Sequence, residues 1–214
     1  MIPSTYKPKK KFMQLAIAEA KRARDRGDYA IGAVITRLIG KREVVIASAG
    51  NRVKTSGSSI KHVELETLKY VCSGYGRYLP DFVLYSTHEP CAMCAGACVW
   101  SKIGAVVFGV SQEDITAYGK KHGTDEFKWR ACLISCRFVL EKGGLHIPVF
   151  DNFLRLECRK LIRISSLLTC HAPPANPLCE CLLQKLERSL PRVLAHAGSY
   201  TSGRASFMKA WCAS

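Results

Sequence analysis

The sequence predicts an α/β protein built as a three-layer α/β/α sandwich. Two observations carry that prediction. Segments with helical and strand periodicity alternate along most of the chain, which implies helices packed on both faces of a sheet. The length, 214 residues, is enough for one domain with a sizeable core, or for one domain plus an appendage.

The elements read in order. Lys10 to Arg26 is an amphipathic helix, because Phe12, Leu15, Ala16, Ala20 and Ala23 fall on one stripe. Ala30 to Thr36 and Val44 to Ala49 are strands joined by a turn around Gly40. His62 and Glu64 open a second helix, marked by the apolar spacing of Val63, Leu65, Leu68 and Val71. A loop with Gly74, Gly76 and Pro80 leads to a strand from Phe82 to Ser86. Pro90 begins the next helix, where a missing N–H costs little, and Cys91 and Cys94 share one face of its first turn. Ile103 to Val110 is a strand, whereas Asp114 to His122 and Trp129 to Ile134 carry no decisive period. Leu145 to Phe150 is a short strand, and Asp151 caps a helix to about Arg163. No internal repeat is visible.

Composition excludes several classes. No run approaches the ~20 apolar residues of a membrane span. The start of the chain is polar and lysine-rich without an apolar signal core, so the expected location is cytoplasmic. Eleven cysteines in such a chain imply reduced thiols and metal binding rather than a disulfide framework.

The chemistry concentrates in His62-Val63-Glu64, followed 26 residues later by Pro90-Cys91-Ala92-Met93-Cys94. A lone Cys-x-x-Cys reads equally as a redox pair or as buried thiols. Joined to His-x-Glu it supplies three metal ligands and a carboxylate, with one tetrahedral position left for water, as in catalytic zinc sites. A structural zinc prefers a fourth protein ligand; Cys98 is the candidate, but it lies a turn deeper and reads as a packed helix residue. The same pattern is the signature of the zinc deaminases.

From about Phe12 to Ile162 the chain resembles the cytidine/deoxycytidylate-type zinc deaminase superfamily, in the branch of nucleoside, guanine and tRNA adenosine deaminases. Gly32-Ala33-Val34-Ile35, Gly50-Asn51-Arg52, His62-Val63-Glu64, Glu89 to Ala97, Val106-Val107-Phe108-Gly109 and Glu157-Cys158-Arg159 carry the resemblance. Val63 departs from it, since the family usually has Ala there; a packing change is expected. The resemblance implies a mixed, five-stranded sheet, Zn2+ held by His62, Cys91 and Cys94, Glu64 as proton shuttle, and a homodimer. It also implies that Asn51 hydrogen-bonds the substrate; the plain alternative is a turn residue beside Gly50. His88 is either close to substrate or a packed strand-end histidine. Trp129 and Arg130 either line the substrate mouth or are a core aromatic beside a surface charge.

A boundary falls near Ile164, giving a deaminase domain over 1–163 and a C-terminal extension over 164–214. The extension holds Pro173-Pro174, Pro177 and several Ser and Gly, and reads as poorly ordered. Its Cys170-His171 and Cys179-Glu180-Cys181 fit no strong metal template. The chain carries +15 overall; residues 164–214 hold five Lys or Arg and two Asp or Glu, leaving 27 basic and 15 acidic residues, net +12, in 1–163. Basic clusters at Lys7 to Lys11, Lys21 to Arg26 and Arg155 to Arg163 favour polyanions in general, although such faces are commonly just solvated. Three partners therefore stay open: a small-molecule base or nucleoside, a tRNA, or another single-stranded nucleic acid. A non-catalytic nucleic-acid-binding relative is disfavoured by the intact Glu64. Deleting residues 164–214 is expected to leave zinc content and deamination intact, as metal analysis and ammonia release will show.

Overall fold

The computed structural model describes residues 2–122 and 134–165. Five strands, β1 (Gly32–Ile39), β2 (Arg42–Gly50), β3 (Phe82–His88), β4 (Ala105–Val110) and β5 (Val149–Phe150), form one mixed sheet in the order β2-β1-β3-β4-β5. β1 runs antiparallel to β2 and β3, while β3, β4 and β5 are parallel. The helices are α1 (Lys10–Asp25), α2 (Val53–Ser56), α3 (Val63–Tyr75), α4 (Ala92–Trp100), α5 (Gln112–His122), α6 (Cys136–Lys142) and α7 (Arg155–Ser165).

Strand alternation divides the core into two faces. Ala33, Ile35, Phe82, Leu84, Val106 and Phe108 point to one side, where they pack with Val63, Leu68 and Val71 of α3, Ala95 and Cys98 of α4, and Leu140 of α6. Val34, Val83, Tyr85, Ala105 and Val107 point to the other, against Phe12, Met13 and Ala16 of α1 and Cys158 and Ile162 of α7. The expected three layers and five-stranded mixed sheet are therefore present. Parallel strands need crossovers, and α4 supplies the one between β3 and β4.

Several boundaries differ from expectation for local reasons. β1 starts two residues late because Ile31 N–H bonds the Tyr29 carbonyl at 2.7 Å, turning the chain there. The hairpin then runs further, closing on Gly40-Lys41 with Gly40 at φ 59°, a value that favours glycine. Asp151 does not cap α7. Its carboxylate pairs with Arg137 at 3.0 Å, and Asn152 and Leu154 adopt φ 54° and 52°, so the helix begins only at Arg155. α7 reaches Ser165, two residues past the boundary expected at 163. Arg155 grips Asp114 of α5 through Nε at 2.8 Å and Nη2 at 2.6 Å. That pair holds the Asp114 carboxyl below its ordinary value. Trp129, Arg130 and the extension beyond 165 lie outside the described residues. Among the described residues no helix is long and apolar enough to cross a membrane.

Gly32 lets α1 lie directly on β1. A Cβ there would fall on the Ala16 carbonyl oxygen and 2.6 Å from the Ala20 nitrogen, both backbone atoms that cannot swing aside. Gly32→Ala is therefore expected to destabilise the fold by about 3 kcal/mol or more, measured as the loss in unfolding free energy by denaturant titration.

Candidate active site

Two helices begin at one point. His62 is the N-cap residue of α3, at φ −66° and ψ 139°, and Cys91 is the N-cap residue of α4, at φ −65° and ψ 171°. Extended backbone at a cap turns the side chain out over the helix end. Pro90 thus precedes the helix rather than opening it, and Cys91 sits at its cap rather than in its first turn; the extended ψ of Cys91 sets that boundary. Glu64 and Cys94 lie inside the first turns.

His62 makes no side-chain cap bond to α3, and its Nδ1 instead lies 3.5 Å from Cys91 Sγ. For α3 the lost cap is replaced from outside. Asn51, 2% exposed, accepts from Val63 N–H through Oδ1 at 3.2 Å. Its Nδ2 donates to Asp28 Oδ1 at 2.9 Å. Asp28 is also buried, and its other oxygen accepts from the amide and hydroxyl of Thr55, each at 2.9 Å. Asn51 is therefore more than a turn residue: it fixes the start of the helix that carries His62 and Glu64. Val63 is buried in the core beneath them.

The three ligand atoms fit a tetrahedral ion. Cys91 Sγ and Cys94 Sγ are 3.8 Å apart, and His62 Nδ1 lies 3.5 and 3.6 Å from them. Bonds of about 2.3 Å to sulfur and about 2.0–2.1 Å to nitrogen require edges of about 3.8 and 3.6 Å. His62, Cys91 and Cys94 form the group able to hold a metal among the described residues. The Cys91 thiol is pulled down to about 4 by the Cys94 thiol and by His62, while Cys94 is pushed up by the same contact and by burial. Cys98 is fully buried in the core and outside the group.

Glu64 stands beside that group without joining it. It is 4% exposed, its Oε1 accepts from Ser86 Oγ at 2.8 Å, and its Oε2 lies 3.7 Å from Cys94 Sγ. Burial raises its pKa, against the pull of His62 and the hydrogen bond from Ser86. Ser86 and Asp28 were not anticipated from sequence. Ser86 was findable, as the polar interruption in the inward row Phe82, Leu84, Ser86; nothing local marks Asp28. Glu89, beside Pro90, accepts from the Gln112 and Cys136 amides at 2.8 and 2.7 Å and so ties α5 and α6 to the Cys91 turn. His88 closes β3 and is buried.

Residues 6–110 match the family model described as the cytidine and deoxycytidylate deaminase zinc-binding region. A tRNA-specific adenosine deaminase of Bacillus subtilis is 42% identical over 46% of this chain and 59% of its own length. A probable cytosine deaminase of Schizosaccharomyces pombe is 36% identical over 52% and 66%. A tRNA-specific adenosine deaminase of Aquifex aeolicus is 36% identical over 54% and 70%. The chain thus spans about three fifths of the length of the Bacillus subtilis relative. The solved guanine deaminase of Nitrosomonas europaea shares the fold, at TM-score 0.59 and 21% identity, covering 77% of this chain and 88% of that one.

Zinc analysis of purified variants checks the ligand set. Cys91→Ala and His62→Ala are expected to lose tightly bound zinc, while Glu64→Ala and Ser86→Ala retain it; zinc held by Cys91→Ala would mean the wrong ligands.

Proposed function

The chain belongs to the cytidine and deoxycytidylate deaminase family with its zinc-binding domain, and on that premise we propose that it hydrolyses the exocyclic amine of a nucleobase or nucleoside, releasing ammonia. The position of Glu64 carries the reading: a buried carboxylate beside three convergent metal ligands, yet outside their set.

His62, Cys91 and Cys94 would hold the zinc. When bound, zinc supplies Lewis-acid activation of water near neutral pH. Glu64 moves the protons. Ser86 occupies Oε1 as a donor, which leaves Oε2, on the side of Cys94, to take a proton from water. Glu64 passes that proton to the ring nitrogen. The water oxygen bonds the carbon that bears the amine, Glu64 takes the second proton from that oxygen and delivers it to the amine, and the C–N bond breaks to release ammonia and leave a carbonyl. Burial suits the task, because a raised pKa lets the carboxyl hold a proton between those transfers. Asn51 keeps one N–H and one lone pair beyond its bonds to Asp28 and Val63, and these are its contribution to base binding.

A second reading, deamination of a base within tRNA or another polynucleotide, is favoured by the tRNA-specific relatives and by the net charge of the domain. The placement of that charge supports the small substrate first. The basic clusters belong to the segment before α1, to α1 and to α7, whereas the metal ligands sit on α3 and α4 across the sheet. Several of these cations are already paired: Arg22 with Glu19, Arg24 with Asp25, Arg155 with Asp114.

Ammonia release by zinc-loaded protein across guanine, guanosine, cytosine, cytidine, adenine and adenosine tests the proposal. Turnover of one of them is expected, falling by several orders of magnitude in Glu64→Ala; near-normal turnover in that variant would sink the role assigned to Glu64. Rates on a free base should barely change with salt, while turnover of tRNA should fall steeply.

A further inference from the structure

Two cations flank the site in sequence and share one hollow beside it. Arg52 follows Asn51, and Lys61 precedes His62. Both are exposed, and both line a hollow of about 470 Å3 between β2 and the flank of α3. β2 runs toward the site and ends at Gly50, while α3 starts at Val63 and runs away from it. Gly50, Arg52, Lys61 and Val63 therefore line the near end of the hollow, and Ile46 and Tyr70 the far end. The rise of α3 from Val63 to Tyr70 separates those ends by about 10 Å.

Neither cation is engaged within the fold. Arg22, Arg24, Arg37, Arg137 and Arg155 each pair with a carboxylate, whereas no ion pair among the described residues holds Arg52 or Lys61. Their backbones are nonetheless fixed. The Arg52 carbonyl accepts from the Ser56 amide at 3.1 Å, the Lys61 amide donates to the Ser58 carbonyl at 3.2 Å, and Asn51 joins the two segments through Val63 N–H. Glu66 also lines the hollow and pairs with neither cation, so the lining stays net positive. A guanidinium beside an ammonium at the edge of a concavity suits a phosphate, which the guanidinium holds through two N–H groups. Tyr70, 66% exposed, adds an aromatic face at the far end, of the kind on which an unpaired base stacks.

We infer that Arg52 and Lys61 form a phosphate-binding site for a phosphate attached to the nucleoside whose base enters the metal site. The inference rests on the deaminase reading and extends it from a base or nucleoside to a phosphate-bearing substrate. The phosphate belongs to a free nucleotide or to the backbone of a single strand, and in a strand the neighbouring base stacks on Tyr70. This pair stands apart from the basic clusters of α1 and α7, because it lies on the side of the sheet that carries α3.

Binding to the zinc-loaded full chain, measured by isothermal titration at constant ionic strength, tests the site separately from turnover. The probes are adenosine, cytidine and guanosine, their 5′-monophosphates, and a short single-stranded RNA containing the same bases. The titrations use Glu64→Ala, in which turnover is expected to be lost. At least one phosphorylated probe should bind roughly tenfold tighter than its nucleoside. Adding Arg52→Gln and Lys61→Gln together should bring that ratio close to one, with zinc content unchanged. Lys10→Gln with Lys21→Gln, an equal loss of charge on α1 across the sheet, should preserve it. A gain for the monophosphates assigns the site to a free nucleotide; a gain confined to the RNA and reduced by Tyr70→Ala assigns it to a strand. Equal binding of nucleosides and phosphorylated probes, a ratio untouched by loss of Arg52 and Lys61, or a ratio lost equally in the α1 variant overturns the inference and leaves the deaminase reading intact. If the wild type releases ammonia from none of the probes, the deaminase reading fails, and the binding ratio still decides the phosphate site.

Discussion

The site depends on one constraint: two helix N-termini, separated by more than a strand in sequence, must point at the same spot. His62 and Cys91 are both N-cap residues, so the metal group exists only if α3 and α4 start side by side. The parallel pairing of β3 with β4 and the shared core under α3 and α4 impose that arrangement. It carries a local penalty. His62 makes no side-chain cap bond to α3, and a missing cap typically costs about 1 kcal/mol. Asn51 offsets the loss for α3, and Asp28 holds Asn51 in place. The capping requirement thus reaches back to the turn before β1.

The electrostatics point the same way. A carboxylate buried beside two sulfurs is an unfavourable cluster of acids. Burial raises Glu64, and the two thiols push each other apart in pKa. A divalent cation at the centre of the three ligand atoms relieves that repulsion. Glu64 stays out of the ligand set because Ser86 holds its other oxygen on the sheet side. The separation between Glu64 and the three ligand atoms is therefore made by one hydroxyl from the central strand.

Much of this was legible in the sequence. The three ligands and Glu64 are short-range patterns whose spacing alone implies their chemistry, and they lie together in the structure. Most of the long elements were legible too, since they bury a periodic face, but α5 was not, because Asp114 to His122 shows no decisive period. Boundaries were less so where a turn or an ion pair outweighs propensity, as at Tyr29–Ile31 and at Asp151. The short helices α2 and α6 were missed because four and seven residues carry too little period to read.

By itself, then, the sequence determined the fold class, the three residues able to hold zinc and the carboxylate beside them, because periodicity and motif spacing are local properties. Only the tertiary structure decided which groups support them. Ser86 is 22 residues from Glu64, Asp28 is 23 from Asn51, and Glu89 is 47 from Cys136. The partner of a buried polar group is set by which strands and helices become neighbours, and that is fixed by packing rather than by nearness along the chain.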